Sequence, residues 1–187
     1  MVKIYAALLF LLLVGLTSCS YLRKSCGQNA QISVINADLP VILNDSVTHI
    51  INEADEVRVY ATYAFIEAHD SLTVCDTLLN YKIKESVGQL QNREREILKF
   101  VITDSNWITD KYAPVKQQFY PDIIIEFISK QAKAYLLLSF GSEEVWACDT
   151  SGEMKSYRMV SKRNLARWAS LIFPDEEYYK KLINPDL

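Results

Sequence analysis

The chain has 187 residues, 20 basic against 23 acidic side chains, a net charge of −3, five Gly and five Pro. That composition excludes collagen-like, low-complexity and intrinsically disordered chains, and it lacks the basic excess of a nucleic-acid binder. The apolar content is uneven, because 14 of the first 18 residues are apolar, so the chain reads as a greasy leader followed by one domain of ordinary composition.

The leader starts with Lys3 as a positive n-region. Ile4 to Leu16 then form a 13-residue apolar run interrupted only by Gly15. A membrane-crossing helix needs about 20 apolar residues to span a hydrocarbon core of about 30 Å, so residues 1–18 read as a signal peptide. The run ends in Leu16-Thr17-Ser18-Cys19. An aliphatic residue, two small residues and a Cys directly after a signal peptide resemble the lipobox of bacterial lipoproteins. The resemblance implies that the leader is cut before Cys19, whose thiol carries diacylglycerol and whose new amine is acylated with a fatty acid such as palmitate. Two or more acyl chains, at about 0.8 kcal/mol per buried CH₂, anchor stably where one does not. Cleavage removes one charge, Lys3, so the side-chain balance becomes −4. No Asp directly follows Cys19 and no acidic run follows it. By the same resemblance this points to the outer membrane, facing the periplasm.

Residues 19–30 form a lipidated tether, and residues 31–187 a single domain. Three Cys remain after Cys19: Cys26, Cys75 and Cys148. The compartment permits a disulfide and an odd count leaves one thiol over. Cys75 and Cys148 lie in strand-like apolar stretches, which makes Cys75–Cys148 the favoured bridge. No CxxC is present.

In chain order, Ile32 to Ile35 suggests a short strand. Asp45 or Ser46 caps a helix with Val47, Ile50, Ile51 and Ala54 at helical spacing and His49 on the opposite side. Glu56 to Phe65 reads as a strand, and Leu72 to Leu79 and Asn80 to Ser86 as two more. Asn92 caps a helix to about Ile102, with Ile97, Leu98 and Val101 inward. Residues 103–118 read as polar and irregular, with Trp107 as an exposed contact. Residues 122–128, 134–140 and 144–149 predict an antiparallel meander, joined by Tyr157 to Val160. Gly141 and Gly152 read as turn residues. Ser161 caps a helix with Leu165, Trp168, Ala169 and Ile172 on one face. Pro174 starts a last helix carrying the i,i+4 pairs Glu176–Lys180 and Glu177–Lys181. Strands and helices are partly segregated, which predicts an α+β fold, helices on an antiparallel sheet.

Chemistry-bearing patterns are sparse. The two His, His49 and His69, have no ligand spacing around them, so no metal and no cofactor is expected. His69-Asp70-Ser71 holds triad residue types, but three consecutive side chains do not place a base between nucleophile and orienter. Asp122 and Glu126 lie on one side of a strand about 13 Å apart, too far to act together as a glycosidase pair. Pro121-Asp122 with Glu153-Met154-Lys155 matches a bare PD…ExK nuclease pattern, which three loosely spaced residues produce by chance. Lys162, Arg163 and Arg167 form a basic cluster off the apolar stripe of their helix.

The expectation is a membrane-anchored protein-binding domain whose partner is an envelope protein, with no nucleic acid involved and Trp107, Arg163 and Arg167 as contact residues. Its layout resembles accessory subunits of envelope complexes and immunity proteins that neutralise toxins. The alternative is a periplasmic hydrolase working through scattered Asp and Glu.

Overall fold

The computed structural model describes residues 43–63, 75–110, 118–130 and 132–186. The chain divides into two units, Met1–Ile32 and Ser33–Leu187, and all described residues belong to the second. Residues 1–18 and 19–30, expected as signal peptide and tether, Cys26, the strand expected at Ile32 to Ile35 and His69 lie outside the described residues.

Helix α1 (Asp45–Glu53) buries Val47, Ile50 and Ile51, with Ala54 at its end. Its cap is Asn44 rather than Asp45 or Ser46: the Asn44 side-chain oxygen accepts the Ser46 N–H at 2.9 Å. Asn44 has the non-helical backbone that lets a cap oxygen reach the second helical N–H. His49 is exposed and 3.4 Å from Glu53.

Strand β1 (Glu56–Thr62) alternates up to Ala61, with Val57, Val59 and Ala61 buried, and Thr62 at its end is buried too. Strands β2 (Thr77–Leu78) and β3 (Tyr81–Gln89) form a hairpin. Its two turn residues, Leu79 and Asn80, both have positive φ, 51° and 69°. That is the left-handed pair a two-residue turn needs to match strand twist. Helix α2 (Asn92–Thr103) turns Leu98, Val101 and Ile102 inward. Asn92 is its first helical residue and Gln91 holds the cap position.

The stretch expected to be irregular contains strand β4 (Ile108–Thr109), and Trp107 is wholly buried. This corrects its reading as an exposed contact. Asp104 accepts the N–H groups of Asn106 and Trp107 through its side chain and backbone respectively. The exposed turn Asp104–Asn106 thus delivers the indole inward, and the Trp107 carbonyl accepts the N–H groups of Val160 and Ser161. A polar sequence neighbourhood described the turn, not the residue at its end.

Strands β5 (Ile123–Ile128), β6 (Lys133–Ser139), β7 (Glu144–Asp149) and β8 (Met154–Met159) form the expected meander. The whole sheet is antiparallel with the order β2-β3-β1-β5-β6-β7-β8-β4. Gly152 turns the β7–β8 connection with φ +84°. Helix α3 (Lys162–Ile172) buries Leu165, Trp168, Ala169 and Ile172 as expected, and Ala166 besides. The Trp168 indole N–H donates to the Glu94 carbonyl at 3.1 Å, joining α3 to α2.

Helix α4 (Glu177–Ile183) buries Tyr179, whose hydroxyl donates to the Asp122 carbonyl at 3.2 Å. The two expected i,i+4 pairs are replaced. Lys180 pairs with Glu177 at 2.7 Å, and Glu176 with Lys84 of β3 at 2.6 Å. Glu176 sits at the cap, where the chain is extended, so helical spacing does not govern it.

The fold is α+β, as the pattern predicted. The helices and one sheet face enclose the main core: Val57, Val59, Ile125, Phe127, Leu136, Leu138, Val145 and Tyr157 meet Ile51, Leu98, Leu165 and Trp168. A smaller cluster, Ile124, Tyr135, Leu137 and Cys148, lies on the other face, backed by Trp146 and Phe119 stacked at 4.1 Å. β5 and β6 are therefore apolar on both sides, which is why their sequence runs almost without polar alternation.

Candidate functional site

Among the described residues, three places that bring charged or nucleophilic groups together bear on function. The first is on the second sheet face. Residues paired directly across antiparallel strands share a face, and Arg58, Glu126, Tyr135 and Cys148 form one such row across β1, β5, β6 and β7. Glu126 is 2% exposed. Lys133 donates to it at 2.7 Å, Tyr60 at 2.8 Å and Tyr135 at 3.3 Å. Burial alone would push its carboxyl up, but Lys133 and the two phenols outweigh that and hold it below the ordinary range. Both phenols are pushed up to about 12, by burial first and by the carboxylate they serve. A carboxylate with three donors is a satisfied anion with little acceptor capacity left for a substrate.

The second place is Asp122, just before β5. Its carboxylate accepts the Phe140 N–H at 2.6 Å, at the turn between β6 and β7. Burial raises its pKa to about 6, against the lowering effects of the Phe140 and Gly141 N–H groups and the Lys162 charge. Asp122 and Glu126 thus serve separate networks with no common partner. The PD…ExK pattern is pulled apart as well. Asp122 lies at the β6–β7 turn, whereas Glu153 precedes Met154, which pairs with Cys148 near the opposite end of β7.

Cys75 and Cys148, the expected bridge pair, carry free thiols in the structure. Cys148 is buried, and burial pushes its thiol up. Among the described residues no three His, Cys, Asp or Glu converge on a metal position. No helix among them is long and apolar enough to cross a membrane.

The third place is the basic surface. Arg163 and Arg167 are exposed on α3, as expected, and Lys162 is partly buried at its start. Cations in the first turn oppose the positive end of the helix dipole, and α3 has no acidic residue there. Helix stability therefore does not account for this cluster. The structure adds Arg158, which the sequence reading missed. In β8, Tyr157 and Met159 point into the core, so Arg158 between them points out. The alternation was legible once the strand was started at Met154 instead of Tyr157. Thr109, Glu143, Arg158, Met159, Val160 and Lys162 line a cleft of about 360 Å³. Glu143 is the one carboxylate among them, 3.4 Å from Lys162 and 3.5 Å from Arg158. Val160 is 54% exposed at its rim. Arg158 and Lys162 face Glu143 in the cleft, with the Asp122 carboxylate also within range of Lys162, and Arg163 and Arg167 extend the positive surface along α3 on a chain whose net charge is −3. Trp107, buried beneath, contributes nothing to it directly.

Comparison of the chain with protein-family models, with curated proteins and with solved structures returns no match.

Proposed function

We propose that the chain is a lipid-anchored protein-binding domain of the bacterial cell envelope, tethered through Cys19 and engaging an acidic protein partner through the basic surface of α3 and β8. One observation carries the binding half of the reading: Arg158, Lys162, Arg163 and Arg167 gather on an acidic protein, in part where cations weaken their own helix. Such a patch steers and orients an oppositely charged protein surface. The anchoring half rests on Leu16-Thr17-Ser18-Cys19 after the apolar leader. A tether confines the domain to a thin shell and raises its effective concentration towards another membrane-bound protein. An accessory subunit of an envelope complex and a toxin-neutralising immunity protein both fit this layout, at the outer membrane facing the periplasm.

The test combines both halves. Wild type, Cys19→Ala and the double variant Arg163→Glu/Arg167→Glu are crosslinked in intact cells. The reading expects a specific adduct for the wild type, a weaker one for Cys19→Ala, and none for the charge reversal, with a melting temperature no lower than that of the wild type. An adduct indifferent to both changes defeats it.

A hydrolase reading draws on Asp122, a carboxyl poised near neutrality, as general acid–base catalysis requires. It expects turnover of an envelope polymer that disappears with Asp122→Asn.

A further inference from the structure

We infer that the cleft between β8, the β6–β7 turn and the start of α3 is a socket for an aspartate or glutamate side chain of the protein partner, with Glu143 as its resident placeholder. The inference rests on the reading of this surface as a protein-binding one. It adds how the partner is recognised.

Four other Lys or Arg pairs with a carboxylate among the described residues are short: Lys84–Glu176 at 2.6 Å, and Arg58–Glu56, Lys133–Glu126 and Lys180–Glu177 at 2.7 Å. Glu143 is different. It stretches between two cations, 3.4 Å from Lys162 and 3.5 Å from Arg158. A charge-assisted N–H···O contact prefers 2.7–2.9 Å, and a guanidinium prefers a bidentate fork. Glu143 satisfies neither preference, so Arg158 retains capacity for a better-placed carboxylate, as does Lys162, which acts on Asp122 by charge without a short ion pair to Glu143.

Release of the placeholder requires little rearrangement. The Glu143 side chain is 41% exposed. Its backbone is fixed independently, because its carbonyl accepts the Met159 N–H at 2.7 Å and its φ is +56°. The side chain can swing into solvent while the turn that shapes the cleft stays in place. Val160, exposed on the rim, offers an apolar contact beside the socket. Arg163 and Arg167 continue the positive surface along α3. A partner segment with one carboxylate for the socket and further acidic residues along the helix matches this arrangement.

The probe is a fluorescein-labelled peptide, (Glu-Gly)₅ with blocked termini, at low salt, followed by fluorescence polarisation against full-length protein, with (Gln-Gly)₅ as the neutral counterpart. Glu143→Gln removes the competing anion and keeps the residue's size. It is expected to tighten binding about threefold, and Arg158→Gln/Lys162→Gln to weaken it about tenfold, as exposed ion pairs permit. Inorganic phosphate is the alternative anion, and weak competition by it at equal ionic strength supports a carboxylate socket. Unchanged or weaker binding by Glu143→Gln overturns the placeholder, and equal binding of (Gln-Gly)₅ overturns the socket. If Arg158→Gln/Lys162→Gln binds normally while Arg163→Glu/Arg167→Glu does not, the socket fails and the protein-binding reading stands. If neither pair matters, both fail. Thermal melts of each variant separate loss of binding from loss of fold.

Discussion

Replacing Asp122 by Asn should stabilise the protein at neutral pH, by an amount that depends on pH. The carboxylate is largely buried beside the Phe140 and Gly141 N–H groups, with Lys162 the cation in range and Tyr178 and Tyr179 facing it from α4. Its pKa rises from the ordinary 3.8 to about 6 on folding. The folded state therefore holds this proton more tightly than the unfolded state does. The associated stability is fully present below about pH 3.8 and is lost as pH rises through about 6. A rise of about two units at 1.36 kcal/mol each corresponds to about 3 kcal/mol above pH 7. Asn keeps an acceptor for the Phe140 N–H and has no charge to desolvate. Urea denaturation of both proteins from pH 4 to pH 8 measures the effect. The pH 4 pair absorbs the intrinsic difference between a neutral acid and an amide. Relative to that baseline, Asp122→Asn should gain about 2.4 kcal/mol by pH 8, because the unfolded carboxyl is already partly ionised at pH 4, or about 1.2 M in midpoint for an m-value of about 2 kcal/mol/M. A difference independent of pH, or an Asn variant that loses ground as pH rises, would refute the reasoning.

Cys19→Ala should abolish labelling by a fatty-acid analogue and release the protein from the membrane fraction; a wild type that takes up no label removes the anchor. Trp107→Ala should cost about 3–5 kcal/mol, as for other buried large-to-small changes, measured by chemical denaturation. Trp107→Phe should cost far less, because the indole N–H has no hydrogen-bond partner among the described residues. Lys133→Met should cost about 2 kcal/mol by leaving the Glu126 carboxylate short of its cation. Glu126 contributes stability that falls away as pH drops through its lowered pKa, so that cost should shrink in acid. Arg163→Glu should lose partner binding yet gain about 0.3–1 kcal/mol in stability by reversing an unfavourable charge at the start of α3, seen as a raised melting temperature. Cys148 should alkylate slowly in the native protein and rapidly in urea, since it is buried with its thiol pushed up.

What the sequence determined by itself was everything carried by local periodicity. The alternation in β1 and the stripes of α1, α2 and α3 reflect burial against a single surface, which writes its own period into the chain, and the continuous apolar runs of β5 and β6 reflect burial on both faces of the sheet. The exposure of Arg163 and Arg167 followed from the same stripe. Only the tertiary structure decided the rest. Trp107 went inward because β4 pairs with β8 and becomes the edge strand there, a contact between residues about fifty apart in the chain. Glu176 left its helix for Lys84 because α4 docks near β3. Arg158 and Glu143 met Lys162 because the β7–β8 register and the β6–β7 turn bring them to the start of α3. Asp122 and Glu126, two carboxylates in one strand region, acquired opposite pKa shifts from neighbours supplied by other elements. Propensity and periodicity are properties of short windows, whereas a charge's partners are set by where distant segments pack.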